Sequence, residues 1–406
     1  MMRRIVPVLA FCLMAMATYG QAEDFDTLFS LGKAEIRKPF GEADYQAASE
    51  YLERAVAMRP DHAEARYFLG YAYSGLNSND GSAMLRTTRF KTNRSSTQFE
   101  KVIQLEPKYS GEIVVLDPYA KITSEWGSLA IAYLDREEPD SARWALAEGR
   151  RRGGFSNYCI AFSRTILDYC TDSAILISYG DMSTFPLLYV QVAEEYRTDV
   201  SVVDISLLNT VWYDDMLERY CHVKFDLPAE TRDTIQWLEW KDSLITAGDF
   251  SWIVKPSYDD RVLIRGDIML MSMIRENRFR RDVYFITGIP EDQAISLKEH
   301  FLTGIYISRV NHDKAERISQ PVFLEGIMRL LSISELINHN SQGDLLFIYL
   351  IRYDMIRRIY DSMMLYKRSE AQEVLALMDL WLDEETFPIE DERMKRYVEL
   401  LRDELK

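Results

Sequence analysis

The chain has 406 residues, 47% of them apolar, with 48 Lys and Arg against 64 Asp and Glu. That is enough apolar material for two or three folded domains and excludes a disordered polymer. A net charge of −16 leaves no basic face able to neutralise a phosphate backbone, which excludes nucleic acid as a partner. At the N-terminus Arg3 and Arg4 precede an apolar run from Ile5 to Tyr19, followed by small residues up to Ala22. This pattern predicts a secretory signal peptide over 1–22 and a periplasmic or secreted protein. Lipid anchoring through Cys12 is disfavoured, because Phe11 places a bulky ring where such sites need a small residue. No later run reaches roughly 18 uncharged apolar residues, so the mature chain is expected to lack a transmembrane segment.

Residues 23–154 repeat. Tyr45, Ala48, Leu52 and Ala55 before Pro60, then Leu69, Gly70 and Tyr73, read as the second helix of one hairpin and the first helix of the next. Small residues stand where paired helices touch, while Leu and Tyr fill the gaps between neighbours. In spacing and residue type this region resembles tetratricopeptide repeats. Leu31 and Gly32 extend the pattern backward, and Ser95, Phe99, Val102 and Pro107 extend it forward past an inserted loop from about Gly75 to Arg94. Trp126, Leu129, Ala130 and Tyr133, paired with Ala142, Leu146 and Gly149, complete a third unit ending at Gly153 and Gly154. Ser110 to Lys121 does not fit the repeat and reads as an extended strap. Such arrays present a concave face, here including Lys33, Tyr67 and Tyr71. Two readings fit it: a groove for an exported protein or peptide, or tyrosines packed against the next domain.

From 155 to 312 the pattern changes to strands alternating with helices, which predicts a three-layer α/β domain with a parallel sheet. Strands are expected at Ala174 to Ser178, Val200 to Ser206, Val283 to Thr287 and Gly304 to Ser308. Helices are expected from Thr184 with Pro186 in the first turn, from Asn209, from Asp267, and over Glu291 to Phe301. In open parallel sheets ligands bind beyond the carboxyl ends of the strands. The residues there are Gly180, Asp181, Ser183, Thr184, Asp204, Asn209 and Thr210, and a sugar or glycoconjugate is the ligand class considered. The same residue types also suit helix capping. Trp212, Tyr213, Trp237, Trp240 and Trp252 form an aromatic cluster. Trp237, Trp240 and Leu244 fall at helical spacing, a packing stripe, whereas exposed rings would stack a sugar.

A further likeness rests on Gly180, Asp181, Thr184, Phe185, Pro186, Leu187 and Tyr189, then Tyr196, Arg197, Asp199, Val200, Val202 and Val203, then Leu207, Leu208, Asn209, Thr210, Trp212 and Tyr213. This stretch resembles the soluble C-terminal part of bacterial protein O-mannosyltransferase-like membrane proteins of unknown function. The resemblance implies an exported soluble module without its membrane-spanning region. It implies no transferase activity, since sugar transfer in that family is attributed to the membrane part.

The histidines His62, His222, His300, His312 and His339 show no metal-ligand spacing. The chain has no Cys-x-x-Cys, no Gly-rich phosphate loop and no Gly-x-Ser-x-Gly elbow, so neither metal nor cofactor is expected. Cys159 and Cys170, on one predicted helix, would lie about 16 Å apart, too far to bond, which leaves Cys170 with Cys221 as the candidate disulfide. Residues 313–406 read as helices, with Ala371, Leu375 and Met378 marking a degenerate repeat from about Leu345 to Leu382. An acidic linker at Asp383 to Glu392 and a last amphipathic helix follow. The predicted class is α + α/β: tetratricopeptide-type repeats, a small parallel-sheet domain and C-terminal helices. The functional expectation is a non-enzymatic exported scaffold that binds another envelope protein, linked to envelope or glycan assembly. The alternative is a sugar- or glycoconjugate-binding module, or an enzyme, at the strand ends.

Overall fold

Helices in the N-terminal part begin where a side chain can take up amides that have no intrahelical partner. In helix α1 (Phe25–Ile36) Asp24 accepts from Thr27 N at 2.8 Å, and in α2 (Tyr45–Met58) Asp44 accepts from Ala47 N at 2.9 Å. In α3 (Ala63–Ser78) the cap is His62, whose Nδ1 accepts from Ala65 N at 3.1 Å. The computed structural model describes residues 24–39, 41–79, 81–312 and 316–406, so the signal-peptide reading of 1–22 and Cys12 lie outside the described residues.

Helices α4 (Arg89–Leu105), α5 (Pro118–Asp135) and α6 (Pro139–Arg151) follow, and each of the six helices packs on the next in chain order. The expected loop shrinks, because α3 continues past Gly75 to Ser78 and α4 starts at Arg89. The expected strap is shorter too, running irregularly up to Asp117. Pro118 has its φ pre-set for a helix and Asp117 caps it, so α5 begins before Lys121.

The α/β part contains α7 (Asn157–Tyr169), β1 (Ile175–Ser178), α8 (Asp181–Ala193), β2 (Ser201–Asp204), α9 (Tyr213–Tyr220) and α10 (Ala229–Arg232). Then come β3 (Trp237–Glu239), β4 (Ser243–Ala247), β5 (Phe250–Val254), β6 (Val262–Ile264), α11 (Arg265–Asn277), β7 (Val283–Ile286), β8 (Phe301–Thr303), β9 (Ile307–Val310) and β10 (Glu316–Arg317). The main sheet has the order β10-β8-β9-β7-β1-β2. It is mixed, which corrects the expected parallel sheet. Strands β2, β1 and β7 run parallel, but β9 lies antiparallel on both β7 and β8. The cause is the missing crossover helix. Glu291 to Phe301 forms two short 3-10 turns, with Ile295 and Ser296 at positive φ, so the chain has no helix with which to return for a parallel pairing.

Three other expectations change. Trp237, Trp240 and Leu244 lie on or beside strands β3 and β4, not on a helix, and Trp237 is 59% exposed. Pairing of β3 with β6 and of β4 with β5 decides the backbone there, over a spacing that fits both periods. Helix α8 starts at Asp181, three residues earlier than expected, which moves Pro186 beyond the first turn. Cys159, Cys170 and Cys221 are free, so the candidate disulfide is not formed.

Helices α12 (Gln320–Leu331), α13 (Gln342–Met364), α14 (Arg368–Trp381) and α15 (Glu392–Leu405) complete the chain, with α13 packed on α14. Two carboxylates tie them to the rest. Asp117 caps α5 through Tyr119 N at 2.8 Å, and its other oxygen accepts from Gly343 N at 2.9 Å. Asp344 accepts from Ser156 Oγ at 2.7 Å and from Asn338 N at 3.0 Å. Among the described residues no helix is long and apolar enough to cross a membrane.

The stack meets the α/β part where α5 packs on α8, and Gly127 makes that approach close: a Cβ there would overlap the Phe185 ring. Gly127→Ala is therefore expected to cost about 1–3 kcal/mol in urea unfolding. An unchanged midpoint would refute tight packing at this junction.

Candidate functional site

Strands β1 and β2 are parallel and in register, so Ser178 and Asp204 end side by side. The chain leaves β1 through Gly180, whose φ of 75° lies in the left-handed region that glycine adopts without strain. That turn starts α8 directly above the strand ends. Helices α3 and α5 and the strap cover the same point from the other side and enclose a cavity of about 580 Å³. Its lining includes Tyr71, Ser74, Lys121, Ser124, Asp181 and Asp204.

Asp204 is buried and accepts from four donors. Gly180 N at 3.0 Å and Thr184 Oγ1 at 2.5 Å reach one oxygen, and Ser206 N at 2.8 Å and Leu207 N at 3.0 Å reach the other. Burial pushes its carboxyl up to about 6, against the pull of the Thr184 hydroxyl and the Leu207 amide. Asp181 reaches across to α5, where its Oδ2 accepts from Ser124 Oγ at 2.5 Å. Burial raises this carboxyl as well, opposed by Ser124 and by the charge of Lys121. The Lys121 ammonium donates to Ser74 Oγ at 2.8 Å, lies 3.4 Å from Glu125 and sits 5.1 Å from the Tyr71 ring centroid. Glu125 in turn accepts from Ser95 Oγ at 2.5 Å.

The cavity joins two regions that the sequence analysis keeps apart. From the strand ends it takes Asp181 and Asp204, with Thr184 holding Asp204 from behind and Thr210 at the rim. Asn209 points elsewhere, its Oδ1 accepting from Gly266 N at 2.9 Å at the start of α11. Asp181 does not cap α8 through its side chain, and Thr210 donates to Leu207 O at 2.7 Å instead of capping α9. From the stack the cavity takes Tyr71 alone of the three expected groove residues.

Tyr67 and Tyr71 are buried, and for Tyr67 the strap is the reason. Tyr67 OH donates to Leu116 O at 2.8 Å and accepts from Val114 N at 3.0 Å, while Tyr109 stacks on its ring with centroids 5.1 Å apart. Burial pushes the Tyr67 phenol up to about 12. Lys33 pairs with Glu64 at 2.5 Å and with Glu112 of the strap at 2.8 Å. Arg37 and Lys33 hold the Glu112 carboxyl at about 2. The open groove expected at Lys33, Tyr67 and Tyr71 is thus closed by chain from the same protein.

Sequence reasoning missed Lys121, Ser124, Glu125 and Ser74. The signal was present in α5, where Lys121, Thr123, Ser124 and Glu125 interrupt Ile122 and Trp126. Such a cluster reads as a solvated helix face until both faces of the helix are known to be covered.

One family model, described as TMEM260-associated domain 2, matches residues 159–235. The matched segment holds β1, α8, β2 and the strand-end residues from Asp181 to Thr210, and it coincides with the densest part of the O-mannosyltransferase-like resemblance. Most of the chain lies outside the match. No curated protein matches the chain.

The raised carboxyl of Asp204 makes stability depend on pH in a defined direction. Its proton is retained in the folded state up to about 6 but lost near 3.8 when the chain unfolds, so rising pH favours unfolding between these values. The wild type is expected to lose about 2.4 kcal/mol relative to Asp204→Asn as pH rises from 4 to 7. Urea unfolding across that range checks it, and parallel pH profiles for the two proteins would disprove the shift.

Proposed function

We propose that the chain is an exported carbohydrate-binding protein. Three tetratricopeptide-type helix pairs, α1 to α6, close over the carboxyl ends of β1 and β2 and hold a neutral sugar unit between them. The observation that carries this reading is the cavity whose lining combines Asp181 and Asp204 with Lys121, Arg37 and Lys38 and with serine and threonine hydroxyls. A sugar ring needs that mixture. Its hydroxyls donate to carboxyl oxygens and accept from hydroxyls and ammonium, while its apolar face lies against rings such as Tyr71 and Phe185. The volume suits a small ligand held by a few polar groups in an otherwise preformed pocket.

The position supports the reading as well, since parallel strands direct ligands to their carboxyl ends. The family match on the strand-end wall adds support by analogy only, and no transfer chemistry is proposed. Export rests on the pattern of residues 1–22. The reading as a scaffold for another envelope protein takes second place, because Lys33 and Tyr67 lie under the strap.

The test is calorimetric titration of the full chain with mannose, glucose, N-acetylglucosamine and their disaccharides. At least one is expected to bind. Asp181→Asn is expected to weaken that binding about tenfold or more, since it removes a charge-assisted hydrogen bond of about 1.5–3 kcal/mol. Failure of every sugar in the panel to bind would overturn the reading.

A further inference from the structure

A second cleft, of about 420 Å³, opens beyond the carboxyl end of β7, between the sheet and the outward side of α13. Gly288, at φ 99°, turns the chain away from the strand and leaves room there. One wall is aromatic: Tyr349 and Tyr353 stand one helical turn apart on α13 and are 41% and 45% exposed. The floor includes Thr303 of β8 and Ser308 of β9, which stand opposite each other across the two strands. Rings beside hydroxyls are the two surfaces that a sugar unit presents in reverse.

The cleft lining carries two cations. Lys298 and Arg357 both line it, against the single carboxylate of Glu291. The Lys298 ammonium donates to Ile289 O at 2.9 Å and, among the described residues, forms no ion pair. Burial lowers its pKa, opposed by the nearby carboxylates of Glu291 and Asp292, neither of which forms an ion pair with it among the described residues. Arg357 is aimed from behind by Asp354, 3.2 Å away. Asp354 is itself buried and also accepts from Thr287 Oγ1 at 3.1 Å and Tyr306 N at 2.7 Å, so its charge is directed inward. Lys298 is thus the cation of this aromatic cleft that lacks an ion pair among the described residues, with the Asp354-paired Arg357 also in the lining, and an anionic group would give Lys298 the partner it lacks.

We propose that this cleft is a second binding site, separate from the cavity at β1 and β2, and that it takes an acidic sugar unit bearing a carboxylate or a phosphate. Tyr349 and Tyr353 stack the ring, Thr303 and Ser308 meet its hydroxyls, and Lys298 with Arg357 takes the anionic group. The site does not depend on the first cavity. Loss of neutral-sugar binding there leaves this proposal standing, and the reverse also holds.

The experiment is titration of the full chain at low salt with glucuronate, glucose 6-phosphate, glucose and inorganic phosphate. Glucuronate or glucose 6-phosphate is expected to bind at least tenfold more tightly than glucose and than phosphate alone. Lys298→Gln is expected to weaken that binding tenfold or more, Lys298→Arg to keep most of it, and Tyr349→Ala to weaken it at least fivefold, all with unchanged thermal unfolding. The proposal is overturned if the acidic sugars do not bind, if glucose binds equally well, if inorganic phosphate alone binds as tightly, or if either Lys298→Gln or Tyr349→Ala leaves affinity unchanged.

Discussion

The ammonium of Lys121 lies inside the protein, and the surrounding elements are placed so that a charge can exist there. A buried cation without partners costs several kcal/mol, so its neighbours are constrained as strongly as any apolar contact. Ser74 brings α3 to it, and Glu125 on its own helix neutralises it while reaching Ser95 on α4. One turn further, Ser124 donates to Asp181 at the start of α8. Four helices are therefore joined by one polar chain that runs from the stack into the α/β part. This accounts for α5 being covered on every side although it carries Lys121, Thr123, Ser124 and Glu125. A purely apolar helix could slide or rotate against its neighbours at little cost, whereas this one has a defined position.

The C-terminal helices are drawn into the same structure by a similar device. Asp117 and Asp344 each serve a helix start and a distant segment, so the beginning of α13 is tied both to the beginning of α5 and to Ser156 before α7. Burial raises both carboxyls, and several donors hold each of them in place. The strap reaches the same result on the outer side through Glu112, Tyr109 and the two bonds of Tyr67. Residues far apart in the chain thus determine the shape of the cavity, while few of them touch what it would hold.

Much of the architecture was legible in the residues because helix pairs advertise themselves locally. Ala48, Leu52 and Ala55, or Trp126, Leu129 and Ala130, fall at the helical period over one to two turns, and Asp44 and Asp117 mark starts with their own side chains. The strands β1, β2 and β7 were legible for a related reason, since each is a buried segment centred on consecutive apolar residues. Where runs are three residues long, as in β3 and β6, helical and extended spacing coincide and only pairing decides. The direction of β9 was hidden because it depends on a helix that Glu291 to Phe301 does not form. For the site, Asp181 and Asp204 were legible through the strand-end rule. Lys121 and Ser124 were not, because a polar residue on a helix shows its function only once the neighbouring elements are known.

Different charged groups line the two concavities along this edge of the sheet. In the cavity beyond β1 and β2 the lining holds Asp181 and Asp204 with Lys121, Arg37 and Lys38, and burial holds a proton on Asp204 up to about 6. At its strand-end wall a ligand would meet two carboxyls that burial already disfavours as ions, which favours donors of hydrogen bonds there. Beyond β7 the lining holds Lys298, Arg357 and Glu291, with Arg357 paired to Asp354 and Lys298 without an ion pair among the described residues. The same strand-end geometry therefore supplies two polar environments: in one, Asp204 from β2 and Asp181 from α8 meet Lys121 from α5, and in the other, Arg357 from α13 meets Lys298 from the turn before β8. Parallel strands provide the location and part of the chemistry, and the helices packed on the sheet complete what each location can hold.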